Sequence, residues 1–189
     1  MGDLAGVTVP ENSYCAFARR DARHRAYHDT EYGFPARDDV VLFERLILEI
    51  NQAGLSWDLM LKKRDGFRKA YAGFDIDRVA AFDDADRARL LADTGIVRNR
   101  LKVDAAIDNA RRLQAIRASH GSFAAWLDAH HPLPKAEWVK LFKKTFRFTG
   151  GEIVGEFLMS LGYLPGTHHP DCPTYATILT LDPPWRNHR

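Results

Sequence analysis

The sequence predicts an all-α protein, and three observations carry that prediction. Apolar residues recur at three- and four-residue spacing, as in Leu42, Phe43, Leu46, Ile47 and Ile50. Residues that cap and stop helices bracket these stretches, with Asp38 or Asp39 before that stripe and Gly54 after it. No run of alternating apolar residues is long enough for a strand. About eight short helices are expected.

Taken in order, residues 1–13 lack a period and read as a loose arm. Residues 14–37 are rich in His, Arg and Tyr and read as a short helix and a loop, with Gly33 and Pro35 as breakers. A helix from Asp38 or Asp39 to Gln52 follows, then one capped by Ser56 and running to about Tyr71. Asp75 opens a short helix with Val79 and Phe82. Asp84 to Asp93 is another, with Gly95 as its stop. The longest helix runs from Asn99 to about Ser119, carries Val103, Ile107, Ala110 and Leu113 on one face, and ends at Gly121. Ser122 opens a helix bearing Phe123, Trp126 and Leu127. His131-Pro132-Leu133-Pro134 is a break. Residues 136–145 read as helix, Phe148 to Gly151 as a turn, and Ile153 to Leu161 as the last helix. A loop is expected from Gly162 onward, with 176–189 loose.

The chain's 189 residues suffice for one domain with a sizeable core. A formal net charge of +2 neither demands nor excludes a polyanionic partner. No apolar run is long enough to cross a membrane, and the first residues lack the features of a signal peptide, so a cytoplasmic protein is expected. In a reducing compartment Cys15 and Cys172 read as free thiols or metal ligands.

Three groups of residues could carry chemistry. Cys15, His28, His168 and Cys172 make a normal tetrahedral zinc set, with His169 as a competing ligand; the same spacing also fits a chance cluster. Four protein ligands would make the site structural. Lys135, Lys140, Lys143, Lys144 and Arg147 precede a Gly150-Gly151 turn and a helix N-terminus, a combination suited to a phosphate backbone. A solvated helix face reads equally well. Arg98, Arg100 and Lys102 form a second basic run, poorly placed at a helix start. Last, Glu49 closes an apolar helix and Gln52-Ala53-Gly54-Leu55-Ser56-Trp57 follows. With Tyr27 and Tyr32 this could cage a planar cationic ligand. A partly exposed Glu and core aromatics would look the same.

These motifs stop looking independent when read together. Ala26-Tyr27-His28-Asp29 with Glu31 and Gly33, Leu42-Phe43-Glu44, Glu49 with Gln52 to Trp57, and Leu61-Lys62-Lys63-Arg64 resemble the 3-methyladenine DNA glycosylase I family. Gly95 to Arg100 with Lys102, Asn109-Ala110-Arg111, Phe146 to Gly150 and the His168/Cys172 pair continue the match, from about Tyr14 to Tyr175. The resemblance implies a helix-hairpin-helix DNA glycosylase fold, with the hairpin at about Leu141 to Leu161 and a structural zinc on Cys15, His28, His168 and Cys172 joining the chain ends. It implies one glycosylase domain over 14–175, of two lobes that do not separate.

It also implies roles. Glu49 would contact the edge of 3-methyladenine as the catalytic-site carboxylate, Trp57 would stack on the base, and Tyr27, Tyr32 and Gln52 would line the pocket. Lys143, Lys144, Arg147, Thr149, Gly150 and Gly151 would hold the DNA backbone. The expected function is hydrolysis of the N-glycosidic bond of 3-methyladenine in alkylated double-stranded DNA by base flipping, leaving an abasic site, by a monomer. The superfamily's usual catalytic Asp is absent near Pro165-Gly166-Thr167, as is typical of this subfamily. Tyr32 stands where the family often has Trp, and His24 where Tyr is common. Two other readings are a zinc-stapled damage-binding module without activity and a binder of cationic small molecules.

Overall fold

The computed structural model describes residues 9–187 and shows eleven α-helices and two short 3₁₀ turns among them, with no strand. Of the arm expected over 1–13, residues 1–8 lie outside the described residues; Pro10 to Ser13 forms a turn closed by Ser13 N–H on the Pro10 carbonyl at 2.9 Å. The chain divides into two compact units, one of Ala36–Phe157 and one of Met1–Pro35 with Leu158–Arg189.

The first of these is built on α3 (Asp39–Gln52). Asp38 caps it by accepting from the Val40 and Val41 amides. The stripe Leu42, Phe43, Leu46, Ile47, Ile50 is fully buried, but burial does not stop at the stripe. From Leu42 to Asn51 every residue is buried, including Glu44, Arg45 and Glu49. A helix enclosed on all sides must satisfy its polar residues inside. Glu44 does so against Arg64 and, at 2.9 Å, Arg68 of α4 (Trp57–Ala70). Ala53 and Gly54, the latter at φ +81°, end α3, and Ser56 caps α4 by accepting from the Leu59 amide.

Helices α5 (Ile76–Ala80) and α6 (Asp84–Ala92) lead to the 21-residue α7 (Arg100–His120). Asp75, Asp83 and Asn99 cap the three. Gly95 does not act as the left-handed stop expected of it: α6 ends at Ala92, and a Cβ on Gly66 of α4 would stand 2.4 Å from the Gly95 carbonyl oxygen. That glycine pair is spent on close approach of backbone. On α7 the face of Val103, Ile107, Ala110 and Leu113 is buried as predicted. Helices α8 (Phe123–His130) and α9 (Lys135–Thr145) and the first turns of α10 (Gly151–Ser160) share an aromatic core. In it Phe123, Trp126, Phe142, Phe146 and Phe157 have ring centroids 5.3–5.9 Å apart.

The other unit contains α1 (Tyr14–Ala18), α2 (Ala22–Thr30), the end of α10 and α11 (Pro173–Thr180). The segment 14–37 thus holds two helices rather than one, capped by Ser13 and Asp21. The expected C-terminal loop contains a helix that sequence reading missed, because no capping side chain marks its start: Cys172 stands at the N-cap without a side-chain hydrogen bond. Residues 176–187 are held, with Tyr175 stacked on Trp185 and the Trp185 amide donating to the Gly162 carbonyl at 3.0 Å. Residues 188–189 lie outside the described residues.

Candidate functional site

Glu49 stands in the last turn of α3, 4% exposed. It opens on a cavity of about 290 Å³ lined by Glu49, Gln52, Ala53, Gly54, Leu55, Glu152, Ile153 and Glu156. The lining offers three carboxylates and no Lys or Arg. Burial pushes the Glu49 carboxyl well above its ordinary range, the Glu156 carboxylate pushes it further, and Arg45 opposes both. Such a space favours a ligand that brings positive charge or donates hydrogen bonds. Gln52 lines the cavity as expected. Trp57, at the first turn of α4, is half-buried and not part of this lining.

The end of α3 is held by a residue of α7 to which sequence reading gave no such role. Lys102, grouped with Arg98 and Arg100 as a basic run at a helix start, is 5% exposed. Its ammonium donates to the carbonyls of Asn51 and Ala53, both at 2.8 Å, and thereby satisfies helix-end acceptors that would otherwise be orphaned. The signal was available: Lys102, Ala106, Asn109 and Leu113 follow helical spacing on the buried side of α7. Burial lowers the Lys102 pKa.

A turn of Phe146 to Gly150 joins α9 to α10. Asn109 of α7 clamps it, accepting from the Arg147 amide at 2.8 Å and donating to the Arg147 carbonyl at 3.1 Å. Lys143 and Lys144 are exposed on the last turn of α9. Arg147 is exposed and ion-paired with Asp108. Phe148 takes a left-handed conformation at φ +61° and is 40% exposed. Thr149 is buried, its hydroxyl donating to the Phe146 carbonyl at 3.4 Å. A Cβ on Gly150 would meet no atom within 4 Å, and one on Gly151 would only touch Val139 at 4.0 Å. Packing therefore does not require these two glycines, and the space beside them is open to a ligand.

In the other unit Cys15, His28, His168 and Cys172 are all buried, with one ligand atom from each within 4.8 Å of the rest. Cys15 Sγ lies 3.9 Å from His168 Nδ1, Cys172 Sγ 3.8 Å from His28 Nε2, and the two ring nitrogens 3.0 Å apart. Bond lengths of zinc to thiolate and imidazole give tetrahedral edges of roughly 3.3–3.8 Å, so the donor set fits that ion. The outer nitrogens are also fixed: His28 Nδ1 lies 2.6 Å from the Asp29 carboxylate, and His168 Nε2 2.7 Å from the Tyr32 carbonyl. These are the partners that orient imidazoles around a metal, and sequence spacing gave no sign of them. Burial pulls the His168 pKa down to about 4, which leaves its Nδ1 lone pair free at neutral pH. Without a cation, burial keeps the Cys15 thiol pKa raised. His169, the competing ligand, faces Asp171 instead, at 3.4 Å. Tyr27 and Tyr32 belong to this unit, with ring centroids 5.6 Å apart.

The chain matches the family model for methyladenine glycosylase over residues 17–137. It is 34% identical to DNA-3-methyladenine glycosylase 1 of Escherichia coli (strain K12), across 85% of this chain and 96% of that protein. It is 31% identical to DNA-3-methyladenine glycosylase of Haemophilus influenzae, across 84% and 96%. Among solved structures it resembles 3-methyladenine DNA glycosylase I from Staphylococcus aureus, with a TM-score of 0.77, 29% identity, and 85% and 95% of the two chains covered. A 3-methyladenine DNA glycosylase I solved in complex with 3-methyladenine superposes equally well, at 0.77 and 29% identity, over 85% of this chain and 96% of that one.

Proposed function

Since the chain belongs to the methyladenine glycosylase family, we propose that it is a monofunctional DNA repair glycosylase. It hydrolyses the N-glycosidic bond of 3-methyladenine in alkylated double-stranded DNA and leaves an abasic site. The observation that carries this reading is the cavity at the end of α3, where buried Glu49 faces a lining rich in carboxylate and free of cations.

The chemistry suits that cavity. Adenine alkylated on N3 is cationic, and its glycosidic bond is already labile. Heterolysis neutralises the departing base and moves positive charge to the sugar, so no strong general acid is needed. The protein has to extract the base from the stack, hold its edge, and admit water to an oxocarbenium-like sugar. Glu49 and Gln52 contact the base edge and Trp57 stacks on it; Tyr27 and Tyr32 are assigned as base-binding residues on the family resemblance alone. The sequence near Pro165-Gly166-Thr167 supplies no carboxylate, in keeping with a reaction whose leaving group needs no protonation.

The α9–turn–α10 segment is the helix-hairpin-helix that grips the DNA backbone. Lys143, Lys144 and Arg147 supply charge, and the amides at Thr149, Gly150 and Gly151 face the phosphate, where open space beside both glycines lets it approach. Cys15, His28, His168 and Cys172 hold a structural zinc; four protein ligands leave it no open position, and it takes no part in the reaction. The protein acts as a monomer in the cytoplasm, and residues 14–175 act as one glycosylase domain. Among the described residues no helix is long and apolar enough to cross a membrane.

The test is base release from methylated duplex DNA, with products separated by chromatography. The expected product is 3-methyladenine, lost in Glu49→Gln while DNA affinity persists. An undiminished rate in that variant would remove Glu49 from the site. DNA affinity without release of any base from wild type would replace the enzyme by a damage-binding module.

A further inference from the structure

The cavity holds more carboxylate than one base edge requires. Glu49 comes from α3, and Glu152 and Glu156 from α10 one turn apart. Glu152 is exposed and has Lys135 Nζ at 3.8 Å, so solvent and a cation screen it. Glu156 is half-buried on the cavity side and acts on Glu49. The other charged groups near Glu49 are Arg45, one turn back on α3, and Lys102 of α7. The Lys102 ammonium is engaged by the Asn51 and Ala53 carbonyls.

We propose that Glu156 is a specificity-determining partner of Glu49: together the two carboxyls admit a cationic base in exchange for one proton, and hold an uncharged base without that exchange. The inference rests on reading this cavity as the base site. Glu49 and Glu156 line one confined space, and like charges so placed favour the neutral form of the more buried carboxyl. In the empty cavity burial first, and the Glu156 carboxylate second, push the Glu49 carboxyl well above its ordinary range and so toward the protonated form. A cationic base reverses the balance, since an opposite charge at contact favours the carboxylate. The Glu49 O–H bond breaks, the proton leaves to solvent, and the carboxylate pairs with the base. The cavity's net charge is unchanged. Undamaged adenine carries no charge, displaces no proton and gains no ion pair. Once the glycosidic bond breaks, the base is neutral, the proton returns and the attraction that held the base is gone.

Calorimetry in buffers of different ionisation heat counts the protons. The probes are 3,9-dimethyladeninium, which is permanently cationic, and uncharged 3-methyladenine. Wild-type protein is expected to release about one proton on binding the cation and about none on binding the neutral base. In Glu156→Gln the pH midpoint of that release falls by about one unit, and in Glu156→Asp it stays near the wild-type value. Cation binding without proton release by wild type from about pH 5 to about pH 9 overturns the inference and needs no variant to fold. So does a Glu156→Gln midpoint equal to that of wild type. Proton exchange with the cation, in a protein that releases no base from DNA, retires the repair reading and leaves the exchange standing. Base release without proton exchange does the reverse.

Discussion

Replacing Lys102 with Met removes a buried ammonium while keeping most of its apolar stem. The ammonium makes two hydrogen bonds of 2.8 Å, to the Asn51 and Ala53 carbonyls, and lies 5.9 Å from the Phe148 ring centre. Charge-assisted hydrogen bonds contribute about 1.5–3 kcal/mol each, and the ring adds about 0.5 kcal/mol. Part of this is offset by desolvation, as the lowered Lys102 pKa shows. A net loss of about 2–3 kcal/mol remains, because both carbonyls are left at a helix end without their donor. For a urea slope of about 2 kcal/mol per molar, the unfolding midpoint should fall by roughly 1 M. The pH dependence has a definite sign. The folded pKa lies below the ordinary lysine value of 10.5, so between the two values the unfolded chain binds more protons and wild-type stability from this group rises with pH. The deficit of Lys102→Met should therefore widen in that alkaline window. A midpoint within about 0.2 M of wild type would refute the argument that this lysine holds the end of α3.

Two further perturbations probe the two units separately. Gly66→Ala would press a methyl group to 2.4 Å from the Gly95 carbonyl, backbone that cannot swing aside; overpacking of this kind costs about 1–3 kcal/mol, visible as a lower melting temperature, and an unchanged one would mean that α4 slides freely there. Purified protein should contain about one zinc per chain by elemental analysis, and Cys172→Ser should lose it. Because His28 and His168 lie 140 positions apart, losing this link should destabilise the chain by on the order of 5 kcal/mol, as for a long-range cross-link. Full stability in metal-free Cys172→Ser would show that packing alone joins the two ends.

The sequence by itself determined most of the helices and brought together the four soft ligands that the fold clusters. Asp38, Ser56, Asp75, Asn99 and Ser122 cap helices where their residue type says they should, because a cap is a local bond between a side chain and an amide two or three residues on. The four soft ligands were legible as a set because so few residue types bind zinc. What only the tertiary structure decided is direction and company. Lys102 reads as one of three cations at a helix start until α7 packs against the end of α3 and gives its ammonium two carbonyl partners. Glu156 looks like any charge on a helix until it lines the same cavity as Glu49. Gly95 reads as a helix stop until Gly66, 29 positions earlier, is found against it. In each case the energy comes from a contact between distant segments. Spacing along the chain encodes a residue's own helix face, and it carries no record of which helix that face will meet.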